Sequence, residues 1–177
     1  MKMFKKLMAV ALAGVLALTV LTGCGSSIDR KEFVRTLNDY SKFYFEDVEL
    51  TDAGTAQADK VIGLVQAKYE KAEKKDEFEP MKALYNKEKH AYTEVAEALG
   101  VDENTKDYYC FNIVEVKKNT SEYNKKYATA QLAKTAMKGT EELTDDVEAW
   151  GNKGTVSFNT VTLGDTEYLV IVVKVIA

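Results

Sequence analysis

Residues 155–177, TVSFNTVTLGDTEYLVIVVKVIA, decide the fold of this chain. β-Branched and aromatic residues fill two runs, TVSFNTVTL and TEYLVIVVKVIA, which favours two strands. The two residues between the runs, Gly164 and Asp165, are a turn signal that predicts a β-hairpin. The second run is apolar on both faces over 168–173, which is typical of a central strand covered on both sides of its sheet.

Two more elements of this region can be predicted upstream of the hairpin. Residues 108–116, YYCFNIVEV, have the same aromatic and β-branched composition and predict a third strand. Residues 121–138 predict a helix, and its four alanines would let that helix lie close against the sheet.

The N-terminal half predicts three helices, because apolar residues recur there every three or four positions. We expect the first helix to begin at an N-cap, Ser27, and the second to be capped by Thr51 or Asp52. The third would run from Pro80 to a C-cap at Gly100. The predicted fold class is therefore α+β, with an N-terminal three-helix segment packed against a β-α-β-β unit that carries a small antiparallel sheet.

The most specific motif lies in residues 1–24. Three lysines in residues 1–6 are followed by an uncharged stretch, Leu7–Val20. That stretch is short for a spanning helix, which needs about 20 apolar residues, so the pattern is typical of a cleaved secretory signal. The next four residues, Leu21-Thr22-Gly23-Cys24, resemble the lipobox of bacterial lipoproteins, in which a small residue precedes an obligatory cysteine.

The resemblance implies that Cys24 receives a diacylglyceryl group and becomes the N-terminus after cleavage. Residues 1–23 would then be the signal peptide, 24–27 the lipidated cysteine with a short tether, and 28–177 a single α+β domain. Lipid on Cys24 would hold the protein at the extracytoplasmic face of a bacterial membrane, because two or more acyl chains anchor stably. A permanent membrane helix and an unmodified cysteine beside an ordinary cleavage site are the alternatives.

The charge and the cysteine count limit the partners further. Loss of residues 1–23 removes three lysines and no acidic residue, which takes the formal net charge from −4 to −7. A chain this acidic lacks the basic surface that nucleic acid binding requires, and anionic headgroups would repel it. With Cys24 lipidated, Cys110 is the one cysteine left in the sequence, so no internal disulfide is expected and the core must stabilise the fold.

Few residues could carry chemistry. His90 is the only histidine, and helical spacing places it on the solvent side of the third helix. Cys110 lies between Tyr109 and Phe111 with no adjacent basic residue to lower its pKa, which favours a buried, unreactive cysteine. Structural zinc usually needs four Cys or His ligands, and the HExxH motif needs two histidines. We therefore expect no catalytic residue, no metal site and no cofactor.

Acidic residues give two further candidates. Glu88 interrupts the apolar stripe of the third helix, and burial there would raise its pKa as a general acid requires. Alternatively, its side chain leaves the interface at the edge or pairs with a lysine. The acidic segment 102–107 lacks the glycine and the distal glutamate of a calcium-binding EF-hand, so a solvated loop explains it better.

Three classes of function remain. A non-enzymatic lipoprotein that binds a protein or cell-envelope partner at the membrane surface agrees with the short tether and with the lack of a catalytic constellation. A small cell-envelope enzyme that hydrolyses peptidoglycan or peptides would need two acids facing one cleft. A one-domain ligand-binding lipoprotein is the third class. We expect the first.

Overall fold

A computed structural model describes residues 28–42, 48–116, 122–144 and 151–177. The elements follow in the order α1 (Arg30–Ser41), β1 (Glu49–Asp52), α2 (Ala56–Lys71), α3 (Pro80–Leu84), α4 (Thr93–Leu99), β2 (Tyr108–Glu115), α5 (Glu122–Lys138), β3 (Glu141–Glu142), β4 (Lys153–Leu163) and β5 (Thr166–Val175). The α+β class that the sequence predicts is confirmed. Within the described ranges, no helix combines the length and the apolar composition needed to cross a bilayer.

One five-stranded sheet organises these elements in the order β1-β4-β5-β2-β3. The predicted hairpin is present, with Leu163 opposite Thr166 and Gly164 at a φ of 60°, which glycine adopts readily. Strand β2 pairs antiparallel with β5, and β3 pairs antiparallel with β2. Strand β1 runs parallel to β4, so the five-stranded sheet is mixed and not the small antiparallel sheet that the sequence predicts; the difference arises because β1, which local patterns do not predict, adds a parallel pair.

The middle strand β5 is buried on both faces, as its sequence predicts. Leu169, Ile171 and Val173 belong to one hydrophobic core, which α1 and α5 cover and which we call the α1/α5 core. Val170 and Val172 belong to a second core, covered by α2, α3 and α4, which we call the α2–α4 core. Full burial of one such side chain stabilises a fold by about 1.5–3 kcal/mol. Helices on both faces of the sheet therefore give the chain two cores without a disulfide.

The first two helices differ from the prediction at their ends. The N-cap of α1 is Asp29 rather than Ser27, and its carboxylate accepts a hydrogen bond of 3.0 Å from the backbone N–H of Glu32. Thr51 and Asp52, expected to cap α2, lie in β1 instead. Helix α2 begins four residues later, at Ala56.

Strand β1 is held at the sheet edge by a side chain of α1. The amide of Asn38 donates to the carbonyl of Leu50 at 2.9 Å and accepts from the N–H of the same residue at 2.7 Å. An unpaired strand edge offers its backbone groups to other chains. Asn38 therefore satisfies the outward-facing backbone of this short strand.

The single third helix predicted from Pro80 to Gly100 is wrong. Two short helices, α3 and α4, are separated by a tight loop in which Asn86 and Ala91 exchange backbone hydrogen bonds. The side-chain carbonyl of Asn86 also accepts hydrogen bonds of 3.0 Å from the backbone N–H groups of Glu88 and Lys89. This side chain competes with helical hydrogen bonding and so ends α3.

Candidate functional site

The residue with the most specific sequence prediction, Cys24, lies outside the described residues. The first described residue, Ile28, is only 7 % exposed and belongs to the α1/α5 core. Three residues separate it from Cys24. The described part of the chain therefore begins four residues after the predicted lipid-attachment point.

Arg30 fixes this start of the body to the sheet. Its guanidinium forms a bidentate ion pair with Asp52, with N–O distances of 2.9 and 2.6 Å. It also donates to the carbonyls of Gly54 and Phe158, each at 3.0 Å, and lies 3.8 Å above the centre of the Phe158 ring. We call these four residues the Arg30 clamp. The clamp joins the first turn of α1 to the end of β1 and to β4.

The Arg30 clamp lowers the pKa of its carboxylate, Asp52. Local sequence patterns do not predict the clamp. The hydrogen bond from Arg30 holds the pKa of Asp52 below its ordinary value, against a smaller opposing effect of burial. Arg30 has no motif around it, and its partners lie 22 to 128 positions away in the sequence. The long separation explains why local patterns do not point to this residue.

A second feature is the loop between α3 and α4, Tyr85–Tyr92, which we call the 85–92 loop. It holds both Glu88 and His90, and both side chains are exposed. His90 is exposed as expected, although its place is a loop and not a helix. The side chain of Glu88 leaves the apolar interface, as the second of the two alternatives expects, because the loop carries this residue away from the apolar stripe; the buried general acid is wrong.

The backbone of the loop is strained at His90. Its φ is 52°, the only positive φ at a non-glycine residue among the described residues. This left-handed conformation costs an ordinary L-residue about 1–2 kcal/mol. Such strain persists only where the surrounding structure imposes it, and it is found frequently at binding and catalytic sites.

Aromatic rings connect the 85–92 loop to the sheet. Tyr85 and Tyr92 meet edge to face with ring centres 5.3 Å apart, and Tyr92 meets the buried Phe111 in the same way at 5.0 Å. Burial raises the pKa of Tyr92, and the charge of Glu141 in β3 adds to the rise. Tyr85 remains 37 % exposed. The stack therefore joins an exposed aromatic ring to the α2–α4 core beside the β2–β3 edge of the sheet.

The tip of the loop carries two exposed lysines. Lys87 and Lys89 are exposed beside Glu88 and His90, so the tip is locally basic in a chain whose formal charge is −4. Lysine ammonium groups donate up to three hydrogen bonds each, and tyrosine offers both an apolar ring and a polar hydroxyl. Together these groups can contact a partner that carries anionic and apolar surface.

Cys110 is fully buried in the α1/α5 core, as predicted. Burial raises the pKa of its thiol to about 12 and the carboxylate of Glu142 adds to the rise, against hydrogen bonds with Thr140 and Tyr108. A nucleophilic cysteine needs the opposite shift, because the thiolate is the reactive form. This thiol is therefore unreactive at neutral pH.

The only histidine cannot activate this cysteine. Cys110 faces the α1/α5 core, whereas the 85–92 loop joins two helices of the α2–α4 layer, so the sheet separates Cys110 from His90. A Cys–His catalytic pair requires hydrogen-bond contact between the two side chains. These two residues do not form one.

The acidic segment 102–107 is used within the fold. The carboxylate of Asp102 accepts hydrogen bonds from the backbone of Asn104 and the hydroxyl of Thr105. Asp107 pairs with Lys174 at 2.7 Å, and the hydrogen bond from that lysine lowers the pKa of Asp107. No group of three or more metal-ligating side chains is found in the part of the chain that the structure describes.

An open groove of about 500 Å³ lies along the outer side of α5. Its lining residues are Gln131, Lys134, Thr135, Lys138 and Gly139. The side chains of this groove are two lysines, an amide and a hydroxyl, with no pair of acids. It does not have the facing carboxylates that hydrolysis of a glycan would use.

Comparison with known proteins adds no relative: no family model, curated protein or solved structure matches this chain.

Proposed function

We propose that this chain is a lipoprotein anchored to the extracytoplasmic face of a bacterial membrane, where its body binds a protein or cell-envelope partner without catalysing a reaction. One observation carries the proposal: a lysine-rich start, a short apolar stretch and a lipobox-like segment end in that order at Cys24. This order is typical of a cleaved signal that precedes a lipidated cysteine.

The position of the folded body supports anchoring close to the bilayer. Four residues lead from Cys24 to Ile28, and a fully extended chain of that length spans at most about 14 Å. Ile28 is buried and Arg30 is clamped, so no long linker follows. A body held this way meets partners at the membrane surface.

The chemistry of the candidate residues supports binding over catalysis. The Cys110 thiol is buried with a raised pKa, and the sheet separates it from His90. Glu88 is exposed at the tip of the 85–92 loop. That loop offers an exposed tyrosine and two lysines on a fixed backbone, and aromatic residues are frequent at the centres of protein interfaces. We assign partner contact to the 85–92 loop.

Metabolic labelling with an alkyne fatty acid tests the anchor. The full chain is expected to take up label, and the Cys24→Ala variant to lose it and accumulate as the uncleaved precursor. Cys110→Ala is the matched control, because it removes the other cysteine and should leave labelling intact. Unchanged labelling of Cys24→Ala would refute the assignment.

Site-specific photo-cross-linking tests the binding role. A photoreactive residue in place of Tyr85 should give discrete adducts in intact cells, whereas the same residue in place of Thr162, exposed on β4, should not. The double variant Lys87→Glu, Lys89→Glu should reduce the adducts without changing the amount of protein. Equal adducts at both positions would contradict partner contact at the loop, and release of fragments from envelope material by the purified body would contradict the non-enzymatic role.

A further inference from the structure

The short tether constrains which side of the body can face the bilayer. The Arg30 clamp places the point where the tether enters the body beside the end of β1. Strand β1 forms one edge of the sheet, and β3 forms the other. The first described residues, Ile28 to Arg30, therefore lie near the β1 edge of the sheet, next to the turn after β1, residues 52–55.

We infer that the β1 edge, with the turn 52–55, is the surface that faces the lipid headgroups, and that the Arg30 clamp holds the body in this orientation. The inference rests on the proposed anchoring at Cys24. It adds the interaction surface and names its partner, a lipid headgroup layer.

The main alternative is an orientation in which the β4–β5 hairpin turn faces the bilayer. Gly164 lies six residues beyond Phe158 along β4, which corresponds to about 20 Å at 3.3 Å per residue. The four residues from Cys24 to Ile28 reach at most about 14 Å. Even a fully extended tether is shorter than this distance, so it does not let the hairpin end face the bilayer. The β1 edge can face the membrane without that constraint.

The charges at this edge are mixed. The carboxylate of Asp52 is paired with Arg30, whereas Glu49 of β1 is exposed. The acidic segment 102–107 precedes β2, three strands away from β1 in the sheet order, or about 14 Å at 4.8 Å per strand. The length of the tether, and not an attraction between charges, therefore determines the orientation.

The orientation also explains how a partner could reach the 85–92 loop. Tyr92 packs on Phe111 of β2, and Glu141 of β3 influences its pKa, so the loop belongs to the edge opposite β1. With β1 toward the bilayer, the loop is directed away from it. The membrane surface and the partner surface are then on opposite edges of one sheet.

Depth-dependent fluorescence quenching tests the orientation. The chain from Cys24 onward contains every described residue, and a lipid aldehyde couples only to an amino-terminal cysteine, with which it forms a thiazolidine that consumes the thiol. Since Cys110 is buried, a cysteine introduced by Ala53→Cys, Asp165→Cys or Glu103→Cys carries the fluorophore alone. In phosphatidylcholine vesicles with spin-labelled headgroups, quenching should be strongest at 53, weaker at 165 and weakest at 103. Equal quenching at the three positions, or strongest quenching at 165 or 103, would overturn the inference.

Variants of the clamp test its positioning role. Arg30→Ala should lower the quenching at position 53 and reduce its difference from position 103. Arg35→Ala removes another arginine of α1, which pairs only within its helix in the ion pairs seen, and should keep the order unchanged. If Arg30→Ala does not fold, Asp52→Asn keeps the bonds to the two carbonyls and should give a smaller loss. A folded Arg30→Ala variant that retains the full difference would refute the role of the clamp.

This design separates the orientation from the anchoring itself. The lipid is attached chemically, so the quenching order does not depend on whether cells lipidate Cys24. Failure of fatty-acid labelling with the expected quenching order would reject the proposed anchor alone. Normal labelling with a different order would reject the orientation alone.

Discussion

Removal of the Arg30 side chain should destabilise the fold more than removal of any neighbouring surface arginine. Arg30→Ala deletes the bidentate ion pair with Asp52, two hydrogen bonds to backbone carbonyls and a ring contact with Phe158. The carbonyl of Phe158, which lies in β4 beyond the end of β1, loses the donor that Arg30 provides.

The expected magnitude follows from these contacts. The two charged side chains are 34 % and 36 % exposed, so solvent screens the ion pair and it contributes about 0.2–1 kcal/mol. The guanidinium over the Phe158 ring contributes about 0.5–1 kcal/mol, and the hydrogen bonds to the two carbonyls about 0.5–1 kcal/mol each after the same screening. The free energy of unfolding should therefore fall by about 2–4 kcal/mol.

Urea unfolding followed by circular dichroism measures this change. The midpoint should fall while the slope of the free energy against urea stays constant, because the surface exposed on unfolding is unchanged. Arg35→Ala is the matched control on the same helix, and its exposed side chain should give little change. An Arg30→Ala midpoint equal to that of the control would refute the clamp as a stabilising contact.

The same variant should change the pH dependence. The hydrogen bond from Arg30 lowers the pKa of Asp52 in the folded state, so its stabilisation is present above the unfolded pKa of about 3.9 and is lost as the pH falls through the folded value. The difference between the wild-type chain and Arg30→Ala should therefore shrink below about pH 4. A difference that stays constant down to pH 2 would show that the ion pair contributes nothing.

Three further predictions concern other positions. Gly63 lies on an exposed part of α2 with open space around it, so Gly63→Ala should raise the free energy of unfolding by about 0.5–1 kcal/mol. Gly164 has a φ of 60°, and an added carbon there would lie 2.9 Å from the Tyr69 hydroxyl. Gly164→Ala should therefore lower the free energy of unfolding by about 1–2 kcal/mol, as measured in urea titrations. The same sign for both would contradict the backbone assignment. Ser157→Ala removes the buried hydroxyl that accepts two N–H groups at the start of α2, each at 3.1 Å, and should cost about 1–2 kcal/mol; an unchanged melting temperature would contradict this capping role. The Cys110 thiol should react with a thiol-specific dye at the rate of unfolding, and rapid reaction in the folded Cys24→Ala chain would disprove its burial.

The elements that the sequence predicts well are those whose signals are local. The hairpin is encoded by Gly164-Asp165 between two β-rich runs. The burial of both faces of β5 follows from its consecutive apolar residues. Strand β2 and helix α5 also form where their composition predicts. In each case neighbouring residues provide enough information, because turn chemistry and side-chain period act within a few positions.

Strand β1 could not be predicted, because distant residues make it. Its four residues, ELTD, contain one buried side chain, Leu50, and give no strand period. The strand forms because β4 pairs with it about 100 positions later and because the amide of Asn38 satisfies its outer edge. Arg30 is a similar case, since its partners are brought near it only by the fold.

The prediction of one helix through the 85–92 loop failed for a different reason. The apolar stripe is interrupted at Glu88 and resumes at Tyr92 with helical spacing, so the hydrophobic period alone favours one long helix. The local signal against a helix is Asn86, because asparagine hydrogen-bonds its own backbone and favours turns over helix interiors. Edge-to-face packing of Tyr92, the N-cap of α4, on Phe111 then joins the start of α4 to β2.

Stability alone does not explain the residue at position 90. Glycine would adopt the observed φ of 52° without steric cost. Among the described residues, the exposed imidazole of His90 forms no hydrogen bond or ion pair that would offset the backbone strain. The loop nonetheless presents a histidine between Lys89 and the Tyr92 stack, where it can contact a partner. The strain at this exposed, locally basic and aromatic position supports the partner contact that we propose for the 85–92 loop.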